Sequence, residues 1–149
     1  MHCFCLVIHK KQQDLHTLLN SWCDENNGRW DYASIGGRYR NIIPVSILTK
    51  SLDPSVSAHP FDNPDYGGDP HCKYVDVARV RNINIDEAIR MRDEHELSVL
   101  HPYSFIIADY MWGDDDPIEV ELARDADMYD ILTNPKYQSW YITAVDYHI

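Results

Sequence analysis

The sequence predicts an α+β domain: an antiparallel or mixed sheet of about four to six strands, two or three helices mainly on one face, and a Pro/Gly-rich loop at about 50–72. Three observations carry this reading. Residues 3–8 and 140–149 are apolar, β-branched or aromatic runs of strand length. Residues 12–26 place Leu15, Leu18, Leu19, Trp22 and Cys23 on one stripe of a helix. The last third reads strand, strand, helix, strand, which is hairpin order and not a strict βαβ alternation.

The elements follow in order. The first strand precedes the 12–26 helix, which Asn26-Asn27-Gly28 ends, because Asn and Gly accept the left-handed conformation of a helix C-cap. Residues 42–48 read as a strand with a proline near its start. The stretch 50–72 holds Pro54, Pro60, Pro64, Pro70 and Gly67-Gly68, which is turn chemistry throughout. Val75, Val77 and Val80 mark a short extended segment. Asn84-Ile85-Asp86-Glu87 has the form of a capping box, opening a helix through about Leu97 with Ile85, Ala88, Ile89 and Leu97 inward and its many charges in solvent. Residues 104–112 and 118–122 read as a hairpin around Gly113-Asp114-Asp115-Asp116-Pro117. A short helix over 126–132, capped by Asp125 and stopped by Asn134-Pro135, leads to the terminal strand.

The chain has 149 residues, read as a single domain over 1–149, long enough to fold without disulfides or a structural metal. Its 13 Lys and Arg face 24 Asp and Glu, a formal charge of −11, so direct nucleic-acid binding is not expected. No apolar run approaches the roughly 18 residues of a membrane span, and the first ten residues lack the basic start and cleavage site of a secretory signal. A cytoplasmic location is expected. Cys3, Cys5, Cys23 and Cys72 are then expected as free thiols. Without Cys-x-x-Cys or His-Glu-x-x-His spacing, neither a metal nor a cofactor is expected.

Three constellations bear on chemistry. Gly36-Gly37-Arg38, preceded by Asp31 and Tyr32, offers backbone amides that approach a ligand closely and a planar guanidinium for a phosphate or carboxylate. The plainer alternative is a glycine turn whose arginine pairs with a surface carboxylate; P-loop and dinucleotide fingerprints are absent. Asp146 and His148 share one face of the terminal strand and form a candidate acid–base couple, unless the strand frays at its end. From His101 onward ten carboxylates face two bases, −8 of the total. Asp114, Asp115, Asp116, Glu119 and Glu121 in that third form a candidate surface for a basic partner, or simply a solvated tip.

The stretch Trp30-Asp31-Tyr32-Ala33-Ser34-Ile35-Gly36-Gly37-Arg38-Tyr39, the segment Asp76-Val77-Ala78-Arg79-Val80-Arg81-Asn82-Ile83-Asn84 and the terminal Val145-Asp146-Tyr147-His148-Ile149 resemble a family of small uncharacterised phage and prophage proteins. That family typically carries Asp-aromatic-x-x-Ile-Gly-Gly-Arg-aromatic and ends in Val-Asp-x-His-Ile; Tyr39 stands here where Trp is common, and Tyr147 where Cys is common. The resemblance implies a genomic setting and no activity, and it makes one shared pocket of Asp31, Tyr32, Gly36, Gly37, Arg38, Asp146 and His148 the expectation. The leading functional expectation is an acidic accessory protein acting by protein binding, as an inhibitor of a host defence or nucleic-acid-processing factor with a basic surface. The alternative is a binding protein or enzyme for a nucleotide- or phosphate-type small ligand, using the Gly-Gly-Arg turn and the terminal Asp/His pair.

Overall fold

The computed structural model describes residues 1–10, 19, 31–46, 72–108 and 128–149. Within them the chain is α+β, with a five-stranded mixed sheet, a separate two-stranded sheet and two helices. The strands are β1 (His2–His9), β2 (Tyr32–Ile35), β3 (Ile43–Ser46), β4 (Cys72–Val75), β5 (Val77–Arg79), β6 (Ser104–Ala108) and β7 (Tyr141–His148). The helices are α1 (Ile85–Asp93) and α2 (Met128–Thr133).

β1 lies between β6, its parallel neighbour, and β7, its antiparallel one, and both of its faces are covered. This explains its unbroken apolar run, since a strand buried on both sides cannot alternate with polar residues. Phe4, Leu6 and Ile8 with Ile142 and Ala144 face the larger core, closed by β3, β4, α1 and α2 through Val45, Val75, Met91 and Leu132. Cys3, Cys5 and Val7 with Val145 and Tyr147 face a second cluster that includes Ile106 and Leu19. Leu19, the one described residue of the expected 12–26 helix, is helical and buried. Among the described residues Pro44 sits in β3, which pairs with β4 and meets Ile83 through a single bridge from Val45, so the missing donor falls outside the five-stranded sheet.

Two strands share the other edge of β7 end to end. β2 pairs with Val145–His148 and β5 with Tyr141–Thr143. At the step between them Gly36 N donates to the Ala144 carbonyl at 2.8 Å, and Ala144 N donates to the Asp76 carbonyl at 2.9 Å. The end of β7 is therefore paired on both sides up to His148, and Asp146 and His148 lie within the ladder and not on a frayed end.

The helix expected to run to Leu97 ends at Asp93, and His95 takes a φ of +59°. Asn84 caps it as expected, its side chain accepting from Glu87 N at 3.1 Å. The Glu87 carboxylate does not lie in solvent. It is buried and accepts from Tyr74 Oη at 2.8 Å and from Arg90 Nε and Nη2 at 2.9 and 2.6 Å, so α1 carries a buried charge toward β4. Cys72, at the end of the expected loop, already belongs to β4. The rest of the 50–72 loop, the remainder of the 12–26 helix, Cys23, the end of the 104–112 strand and the 118–122 strand lie outside the described residues. No helix among the described residues is long and apolar enough to cross a membrane.

Candidate functional site

The register of the sheet assembles the site. His2 on β1 and Tyr32 on β2 both lie opposite His148 on β7, so the three rings stand abreast at one end of the sheet. One row inward, Asp146 lies opposite Phe4 and Ser34. Tyr32 stacks on His148, with ring centroids 5.2 Å apart and planes 6° from parallel, and His2 meets both rings edge-on. Tyr32 is 47% exposed, whereas Asp146 is 3% exposed.

Two carboxylates orient the two imidazoles. Asp146 Oδ1 lies 2.8 Å from His2 Nδ1, and Asp31 Oδ2 lies 2.8 Å from His148 Nδ1. A carboxylate only accepts, so each Nδ1 carries the hydrogen and each neutral ring presents its Nε2 lone pair. Tyr32 Oη lies 3.4 Å from His2 Nε2, and the Met1 amino nitrogen lies 2.9 Å from His148 Nε2. Both neighbours are donors, so the tautomers are consistent throughout. The expected couple is thus re-paired: Asp146 orients His2, and His148 takes Asp31.

The Gly36-Gly37-Arg38 turn packs against the same carboxylate. Asp146 Oδ2 accepts from Arg38 N at 3.0 Å, so the amide that the sequence offered to an external anion receives one from β7. A Cβ on Gly37 would meet Asp146 Cβ at 2.6 Å, and one on Gly36 would meet the Asp76 carboxylate at 2.9 Å. Both glycines also have positive φ, +72° and +53°. The buried Asp76 accepts from Asn41 N at 2.6 Å, fixing the far side of the turn. Tyr39 Oη donates to the His2 carbonyl at 3.0 Å. Burial raises the Tyr39 phenol above its ordinary value, and the Asp146 charge adds to this. Arg38 is exposed, and its guanidinium makes no hydrogen bond or ion pair among the described residues.

Asp31, Tyr32, Gly36, Gly37, Arg38, Asp146 and His148 therefore lie in one neighbourhood linked by direct contacts, and sequence reasoning missed its eighth member, His2. His2 sits in no local motif. Only the β1–β7 register, which spacing along the chain does not encode, brings it to Asp146. Asp114, Asp115, Asp116, Glu119 and Glu121 lie outside the described residues. Cys3, Cys5 and Cys72 are free thiols, and no group of three or more His, Cys, Asp or Glu among the described residues is placed to hold a metal ion. No family model, curated protein or solved structure matches the chain.

Proposed function

We propose that the chain binds a small phosphate-bearing ligand at this end of the sheet and exchanges a proton with it. The observation that supports the reading is the pair of imidazoles, each held at Nδ1 by a carboxylate, with His148 Nε2 taken by the Met1 amino group and His2 Nε2 facing only the Tyr32 hydroxyl at 3.4 Å among the described residues. Such a ring accepts a proton at Nε2 while its carboxylate stabilises the resulting imidazolium. The exposed Arg38 guanidinium on the adjoining turn supplies the planar fork that suits a phosphate. Aspartates 31, 76 and 146 surround the site, so the ligand is expected to be read by specific contacts and not by the overall field, which at −11 repels anions.

The test is a thermal-shift titration of the protein with inorganic phosphate, nucleotides and sugar phosphates, repeated on Arg38→Ala. Binding to the folded state alone stabilises by about 2.7 kcal/mol at a hundredfold excess over Kd. A shift lost in Arg38→Ala supports the reading; no shift across the panel overturns it.

A second reading is supported by the charge count. The −8 carried from His101 onward suits docking to a basic host protein, in keeping with a phage accessory role. Replacing Asp114, Asp115, Asp116, Glu119 and Glu121 by neutral isosteres is then expected to weaken capture of that partner and flatten its salt dependence, while Arg38→Ala leaves capture unchanged.

A further inference from the structure

We infer that Tyr32, His2 and Asp146 form a nucleophile relay that makes the Tyr32 hydroxyl a covalent acceptor for a phosphoryl group. The inference rests on the phosphate-ligand reading for its substrate class and on separate geometry for its chemistry. A side-chain nucleophile is recognised by a base within hydrogen-bond reach and a third group that orients the base, with contacts often looser before the substrate binds. Here the phenolic oxygen lies 3.4 Å from His2 Nε2, and the opposite ring nitrogen lies 2.8 Å from Asp146 Oδ1.

The orienting carboxylate is the rigid member. It is buried on the central strand β7, and its second oxygen is held by the Arg38 amide. The acceptor is the open member: Tyr32 is 47% exposed, while its ring is fixed by stacking on His148. A buried orienter, a half-buried base and an exposed hydroxyl therefore stand in line from the core to solvent. Structural packing alone does not require the hydroxyl to lie over the one nitrogen that the carboxylate leaves as an acceptor.

The step balances without a further reactant beyond a phosphate ester or anhydride. Tyr32 Oη forms a bond to phosphorus as the bond from phosphorus to the leaving oxygen breaks. The phenolic proton passes to His2 Nε2, giving an imidazolium paired with Asp146, and His2 returns that proton to the leaving oxygen. Arg38, on the adjoining turn, offers positive charge for the phosphoryl oxygens.

The test uses diisopropyl fluorophosphate, an uncharged phosphorus electrophile that loses fluoride, with the labelled peptides quantified by mass spectrometry. N-acetyl-tyrosinamide in solution and the urea-unfolded protein serve as controls for an unassisted phenol. Since a positioned base contributes at least about a hundredfold in favourable cases, Tyr32 is expected to label at least about tenfold faster than either control. His2→Gln is expected to bring Tyr32 down to the control rate, and Asp146→Asn to lower it in part. A cooperative urea transition in each variant shows that the fold persists.

Equal rates for Tyr32 and the controls, or a Tyr32 rate indifferent to His2→Gln, overturn the relay. The probe carries no anionic phosphate, so its labelling rate reports on the relay, and the thermal shift of the wild-type protein with phosphate ligands reports separately on the phosphate-ligand reading. Labelling without any such shift retires the phosphate-ligand reading and retains the relay. A shift without selective labelling does the reverse.

Discussion

Gly37 has no room for a side chain: an added methyl would stand 2.6 Å from Asp146 Cβ, at a φ of +53°. Gly36 adopts φ +72° and ψ −76°, a region that a Cβ disfavours, and an added methyl would press on Asp76 at 2.9 Å. Each glycine-to-alanine change is expected to cost about 1–3 kcal/mol, read as a lower urea midpoint at unchanged slope. Gly37→Ala is also expected to abolish any phosphate-induced thermal shift, because it displaces the carboxylate that holds His2. A variant of wild-type stability would show that the turn is not fixed by this contact. The motif was legible as a tight turn from its glycines alone. Its partner was not: the amide needed an anion, and nothing in the local pattern shows that Asp146, 108 positions further along, supplies it.

At the scale of elements, the Glu87–Arg90 pair separates what a capping signal encodes from what packing decides. Asn84 and Glu87 mark the start of α1 correctly, since Asn84 accepts the Glu87 amide. The same pattern places Glu87 in solvent, and the fold buries it against Tyr74 and Arg90. Burial, followed by the hydrogen bond to the Glu87 carboxylate, raises the Tyr74 phenol well above its ordinary value. The Glu87 contact also raises Arg90, keeping the guanidinium charged. Arg90→Met strands a buried carboxylate and is expected to cost about 3 kcal/mol. Arg90→Met combined with Glu87→Met removes both charges and is expected to recover part of that loss, although Tyr74 then loses its acceptor. A double variant less stable than Arg90→Met alone would mean that Glu87 stabilises even without Arg90, through its bond to Tyr74. Hydrophobic spacing could not reveal this element fully, because the inward face of α1 mixes Ala88 and Met91 with a charge.

For the whole molecule, the two faces of the central sheet make different demands, and the pH dependence of stability reports on the second one. The apolar run of β1 and the β-branched and aromatic composition of β7 were legible as strands; their pairing with each other, and the burial of both faces of β1, are long-range information that spacing does not carry. On the second face Cys3, Cys5 and Tyr147 pack with Val7, Val145 and Leu19, and Tyr147 Oη lies 3.3 Å from Ser104 Oγ. Burial pushes the Cys5 thiol up from 9.0 to about 12 and the Tyr147 phenol up from 10.0 to about 12. Both acids hold their protons more tightly in the folded chain than in the unfolded one. Their stabilisation is therefore complete below the ordinary values and is lost as pH rises through the window between 9.0 and about 12. Urea midpoints taken across that window are expected to fall from about pH 9 in the wild-type protein, where the unfolded thiol first ionises. In Cys5→Ala the whole curve is expected to start lower, because a buried group is lost, but its decline begins nearer pH 10, where the phenols take over. Parallel curves for the two proteins between pH 9 and 10 would show that the Cys5 thiolate is accommodated, and that the second face is open to water in a way its packing does not allow.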